Sequence, residues 1–156
     1  LSLERKNIFY EGKEMENVAP VDEEYHFDDE GVLVSQTDKE GKFTYVNKRF
    51  RDVSGYSYDE LVGNSYSIIR HPDMPDAAFA KMWETIESGQ VFNGIIKNLR
   101  KDGRYYWVNL EILPIKDEDG DITGYISVAR PASRKDIEEN EKIYKKMLES
   151  EREGAL

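Results

Sequence analysis

Two prolines three positions apart, Pro72 and Pro75, interrupt the chain near its middle, and Arg70, His71 and Asp73 stand around the first of them. Proline has no backbone N–H and restricts the residue before it, so neither a helix interior nor a central strand accommodates this spacing. Residues 70–75 are therefore expected to form a rigid connector that borders a ligand pocket, with polar side chains projecting in fixed directions. Arg70 can make a bidentate contact to a carboxylate or phosphate, and His71 can donate or accept near neutral pH. Asp73 can orient either one. A salt-bridged turn in which Arg70 and Asp73 simply hold the loop fits the same spacing, and on spacing alone it is the favoured reading.

The sequence on either side sorts into short elements. A β-branched run at 32–37, a turn at 38–41 and residues 43–46 read as a β-hairpin, with Gly41 suited to a positive φ. Asn47 is a good N-cap for a short helix carrying Phe50 and Val53, and Ser57 with Glu60 has capping-box spacing for another. Beyond the connector, Asp76 is the expected N-cap of an amphipathic helix whose Phe79, Met82, Trp83 and Ile86 share one face. Strands are expected at 91–100, 104–115 and 122–130, joined by turns rich in Asp and Gly. From Ser133 a last helix carries a narrow stripe of Ile137, Tyr144 and Leu148, too short to establish a coiled coil alone.

Grouped strands and grouped helices imply an α+β class, a five-stranded antiparallel sheet with short helices on one face. Room for a small-molecule cavity lies between those layers. Three segments are expected: an N-terminal arm or docking helix at 1–31, the sheet domain at 32–132 and a C-terminal exit helix at 133–156. Phe79, Trp83, Phe92 and Trp107 are core aromatics on pattern alone.

Charge and composition remove several functions. A net charge of −10 argues against nucleic acid and against an anionic membrane surface, both of which call for clustered Lys and Arg. No apolar run reaches the length of a membrane span and nothing resembles a signal peptide, so this segment is expected to be cytoplasmic and any membrane anchor of a parent protein to lie outside it. The first residue is Leu rather than Met, which suits a truncated chain or an expression scar. With no cysteine there are no disulfides, thiolate metal sites, cysteinyl–flavin adducts or cysteine nucleophiles, and His26 and His71 are too few for a multi-histidine metal site. No phosphate-binding glycine loop and no nucleophile–base pair is present, and an enzyme is not expected.

Four stretches carry a resemblance: VNKRFRDVSGYSYDELVGNS (46–65), RHPDMPDAAFAKMWETI (70–86), GIIKNLRKDGRYYWV (94–108) and GYISVARPAS (124–133). Together they resemble the PAS domain of bacterial aerotaxis and energy-taxis receptors, over roughly residues 32–148. The resemblance implies a non-enzymatic sensor that holds FAD non-covalently and reports its redox state to a HAMP region, a chemoreceptor module or another output domain. By position, Arg70, His71 and Asp73 would face the ligand, with Asn47 and Asn98 as polar contacts and Trp83 and Phe92 as aromatic cover. Such receptors commonly have Trp at Phe92, His at Tyr66 and a small or amide residue near Glu111, where an anion is costly beside a flavin unless it is paired or faces outward. The resemblance leaves open another small-molecule ligand, or none, in a cofactor-free interaction module. Haem ranks well behind these, given two histidines. A homodimer through the N-terminal arm, the exit helix or both is also expected, within a parent that can be anchored in the inner membrane.

Overall fold

The alternation of residues 33–46 sets up the first hairpin. In a computed structural model that describes residues 8–10, 13–15 and 18–154, β3 (Leu33–Asp38) and β4 (Phe43–Val46) pair antiparallel. They are preceded by a small strand pair, β1 (Ile8–Tyr10) with β2 (Lys13–Met15), so these residues of the arm are strand and not a docking helix. Ile8, Phe9 and Tyr10 of β1 favour extended backbone. Further on come α1 (Lys48–Ser54), α2 (Tyr58–Leu61), a single 3₁₀ turn at Tyr66–Ile69 and α3 (Asp76–Glu87). The chain closes with β5 (Phe92–Leu99), β6 (Tyr105–Lys116), β7 (Ile122–Pro131) and α4 (Arg134–Gly154).

The five longer strands form one antiparallel sheet in the order β4-β3-β7-β6-β5. Side chains of a strand alternate between faces, so one face of this sheet presents Leu33, Ile96, Tyr106, Val108, Ile112, Tyr125 and Ala129. These pack with Phe50, Val53, Leu61, Ile68, Met74, Phe79, Met82 and Ile86 from α1–α3 and their connections to make the main core. The short helices thus share one face, as the pattern implies. The other face presents Ile95, Tyr105 and Trp107, and α4 lies across it through Ile137 and Tyr144. The Tyr144 ring stacks 3° from parallel on Trp107, and its hydroxyl donates to the Ile95 carbonyl. Among the described residues no helix is long and apolar enough to cross a membrane.

Local caps follow the sequence closely, with one exception. Asn47 and Ser57 cap α1 and α2, the latter through a full capping box, and Ser133 Oγ accepts from Asp136 N–H at the start of α4. Asp76, however, is the first residue of α3 rather than its cap, because Pro75 takes the cap position and no side chain of the helix closes it. The orphan N–H groups of Asp76 and Ala77 instead donate to the Glu151 carboxylate in the last turn of α4, at 2.8 and 3.4 Å. A carboxylate there also meets the positive end of the α3 dipole. Glu151→Ala is expected to cost about 1 kcal/mol in urea denaturation, the usual worth of a helix cap; an unchanged midpoint would show that the cap contributes nothing.

Candidate functional site

A cavity of about 90 Å³ lies between the inner sheet face and the helices. Its polar end is set by strand register. The β5–β6 hairpin pairs Asn98 with Tyr106, and the connector joins alongside through a bridge between Arg70 and Asn98. Arg70, Asn98 and Tyr106 therefore form one row across the cavity wall. The far end is apolar and is made by Ile86, Ile112 and Tyr125.

Each member of that row is held differently. The Arg70 guanidinium donates to the Met74 carbonyl at 3.0 Å and to Asp76 at 2.6 Å, and it lies 4.4 Å over the Phe79 ring. Tyr106 is fully buried. Burial pushes its ionisation well above the ordinary tyrosine value, against the charge of Arg100 and a hydrogen bond with the neighbouring Asn98 side chain, so the hydroxyl stays neutral.

Two rings of the cavity wall are tied to each other. Trp83 Nε1 donates to the Tyr66 hydroxyl at 2.8 Å, and their ring centroids lie 5.6 Å apart. Tyr66 also packs on Phe79, and Trp83 on Tyr125. The rings settle against the backbone at Gly41, where φ is +85° and a Cβ would come within 2.8 Å of Tyr66. The cavity volume falls short of the ~150 Å³ that admits benzene.

The residues singled out from the sequence divide between two faces. Arg70, Trp83 and Asn98 line the cavity. Asn47 is engaged as a cap, its Oδ1 accepting from Phe50 and Val34 N–H and its Nδ2 donating to the Val32 carbonyl. Phe92 folds back over Gly94, where a Cβ would lie 2.6 Å from its ring, and it packs against the core without lining the cavity. His71 is buried, its Nδ1 accepting from the Asp73 N–H and its ring edge against Tyr105. Asp73 pairs with Lys97 at 2.9 Å on the opposite side of the sheet, where the Lys97 ammonium lies 4.3 Å over the Tyr105 ring. His71 and Asp73 therefore stand outside the lining. Glu111 is exposed and shares the strand parity of Trp107, so it puts no anion in the cavity.

The Asp73–Lys97 pair has a measurable signature. Burial pushes the Asp73 carboxyl up, but the hydrogen bond and charge of Lys97, with help from His71 and Arg152, hold it below the usual carboxylate value. A depressed carboxylate stabilises the fold fully above its unfolded value of about 3.9, and that contribution is lost as pH falls below it. Asp73→Asn leaves the Lys97 ammonium buried without its anion and is expected to cost about 2 kcal/mol at neutral pH, reduced from the buried-pair range because Asp73 is half exposed. The gap between variant and wild type in urea denaturation should shrink below about pH 4; a gap independent of pH would count against the pair.

Tyr106 was not among the residues singled out from the sequence, although a signal for it exists. A hairpin turning on Asp102 places residues 98 and 106 opposite each other, so choosing Asn98 implies its cross-strand neighbour. Tyr66 and the two hydroxyls Ser35 and Ser127 also line the cavity.

Comparison with known proteins extends this geometry. The sequence pattern of the PAS fold matches residues 43–129. The aerotaxis receptor of Escherichia coli (strain K12) is 44% identical over 117 residues, which cover 75% of this chain and 23% of that protein. The bacterioopsin transcriptional activator of Halobacterium salinarum is 32% identical over 106 residues, covering 67% of this chain and 16% of that protein. The chain thus spans less than a quarter of either relative. Among solved structures, the dark state of the blue-light photoreceptor Aureochrome1 LOV superposes with a TM-score of 0.61 at 21% identity, covering 77% of this chain and 84% of that one.

Proposed function

The chain belongs to the PAS-fold family, and on that premise we propose that it is the sensory input module of a redox- or energy-taxis signalling protein, reading its signal through non-covalently bound FAD and relaying it to an output domain. The observation that carries this reading is the inner cavity lined by Arg70 and Asn98 at one end and by apolar and aromatic side chains elsewhere, in a chain 44% identical to an aerotaxis receptor. The donor set suits a flavin, whose ring presents a hydrogen-bonding edge and an apolar face. Asn98, Tyr106 and Arg70 would hold the edge, and Phe79 and Trp83 would cover the face. The flavin, when bound, supplies reversible redox chemistry. The chain's own part is to orient the ring, exclude water beside the Tyr66–Trp83 pair, and connect the cavity wall to α4 through β5 and the connector. His71, Asp73, Asn47 and Phe92 act in this proposal as framework for that wall, and no catalytic step is assigned to the chain.

One absorption spectrum tests the reading. Gently purified protein is expected to be yellow and to release FAD on denaturation. Colourless protein whose stability and fluorescence ignore added FAD would sink it.

A second reading has its own support. The Tyr66–Trp83 hydrogen bond ties two side chains of the cavity wall to each other, as suits a cofactor-free module that dimerises and positions a cytoplasmic output. Its interface would use the N-terminal arm or α4, where Ile143 stands 53% exposed. Sedimentation of chains lacking residues 1–31 or 134–156 tests it; a monomer at all concentrations would remove the dimer.

A further inference from the structure

We propose that the cleft between α4 and the outer face of the sheet is a ligand site in its own right, and that it takes a zwitterionic α-amino acid with an apolar side chain. Its lining shares no residue with the inner cavity, and the proposal does not depend on what that cavity holds.

The cleft exists because α4 is fastened at two separated points. Tyr144 stacks on Trp107 and donates to the Ile95 carbonyl, and about two turns further on Glu151 caps α3. Between helix and sheet a space of about 440 Å³ is left, within the roughly 300–1,000 Å³ of small-molecule sites. Tyr105 and Trp107 line it from the sheet, and Tyr144 and Leu148 from the helix.

The polar groups around this space are of both signs, and they are not all used. Lys97 is 9% exposed, at a place where an apolar side chain would pack without a desolvation cost. Its ammonium has three N–H groups and, among the described residues, donates only to Asp73. Arg152 lies near enough to help hold the Asp73 carboxyl down, yet among the described residues its guanidinium makes no hydrogen bond or ion pair. Glu149, on the same stretch of α4, is equally uncommitted among them.

That mixture decides the charge of the ligand. A plain anion meets Asp73, Glu141 and Glu149, and a plain cation meets Lys97, Lys145 and Arg152. A molecule with both charges on neighbouring atoms satisfies both sets. Its carboxylate accepts from Arg152 and the spare Lys97 N–H groups, and its ammonium donates to Glu149. The rings and Leu148 then cover an apolar side chain. Amino acids with an aromatic or branched side chain have this layout. A bound one would fill the gap under α4 and brace the helix against the sheet.

Calorimetric titration of the whole chain with L-tryptophan, L-phenylalanine and L-leucine tests the site, alongside the methyl ester and the N-acetyl form of each. Wild type is expected to bind at least one of the three. The blocked forms, and the variants Arg152→Gln and Glu149→Gln, should bind at least about tenfold more weakly, one charge-assisted hydrogen bond's worth. Both positions are exposed, so the variants should keep the wild-type urea midpoint. Wild type that binds none of the three would overturn the proposal. So would binding that both variants leave unchanged, or binding displaced by FAD, which would put the amino acid in the inner cavity. FAD that binds while the amino acids do not would remove this site and leave the flavin reading intact.

Discussion

Arg100→Met is expected to lower the stability of the chain by about 3 kcal/mol, a loss set by buried carbonyls left without a donor. Arg100 is 8% exposed at the end of β5. Its guanidinium donates to the Val53 carbonyl, to the Asp52 carbonyl at 3.3 Å and to Asp102 at 3.1 Å, closing the C-terminal end of α1 onto the sheet. The same group lies 3.8 Å over the Tyr25 ring and so pins the segment that leads into β3. Methionine replaces the stem but none of these contacts. The loss should carry a pH signature through Asp102. Burial pushes that carboxyl up, but hydrogen bonds from Arg104 and Arg100 outweigh it and hold the group far below the usual carboxylate value. Its contribution is complete above about pH 4 and drains away as pH falls. The difference between wild type and Arg100→Met in urea denaturation should therefore narrow in acid. A difference under 1 kcal/mol at neutral pH would show that the carbonyls find other donors.

Trp83→Ala is expected to move stability and ligand access in opposite directions. The indole packs on Tyr66 and Tyr125 and donates to the Tyr66 hydroxyl, so its removal costs about 3 kcal/mol, the low end for a large aromatic because it is only half buried. The same removal takes one ring out of the cavity wall. If the cavity holds FAD as proposed, stopped-flow mixing with FAD should then show uptake at least about tenfold faster, the equivalent of 1.4 kcal/mol off the opening step. Trp83→Phe keeps the packing, loses the hydrogen bond and should fall between the two. Equal uptake rates in all three proteins would show that the rings are not the barrier.

The sheet and its order of elements were legible because local signals agreed. A β-branched run and turn-bounded segments marked β3–β7, Asp-Gly turns joined the later strands, and Asn47 and Ser57 cap the helices they precede. The site was harder, for a geometric reason. Adjacent residues of a strand face opposite sides, so Asn98 looks into the cavity while Lys97 looks out, and the connector meets both. Arg70 follows Asn98 and Asp73 follows Lys97. Nothing in the spacing of Arg70, His71 and Asp73 says that the sheet edge runs between them. Asp76 misled for a related reason: its first-turn N–H groups are capped by Glu151, seventy-five positions away, and no local pattern reports a contact of that range. The outward direction of Glu111 could be read from register, since it pairs with Asn93 and shares the parity of Trp107.

The strand order has a consequence for how the chain reaches this structure. β3 enters the fold first among the five strands and β7 last, yet they are neighbours, with Leu33 opposite Ala129. The sheet is therefore two halves, the β3–β4 hairpin and the β5–β6–β7 meander, joined along a seam whose two sides come from opposite ends of the domain. Closing such a seam costs loop entropy before it returns any contact, and that sets a slow folding step. Until β7 leaves the ribosome the hairpin holds an open edge, the arrangement most prone to pairing with another chain. Substitutions along this seam should slow folding more than they hasten unfolding, whereas those under α4 should do the reverse.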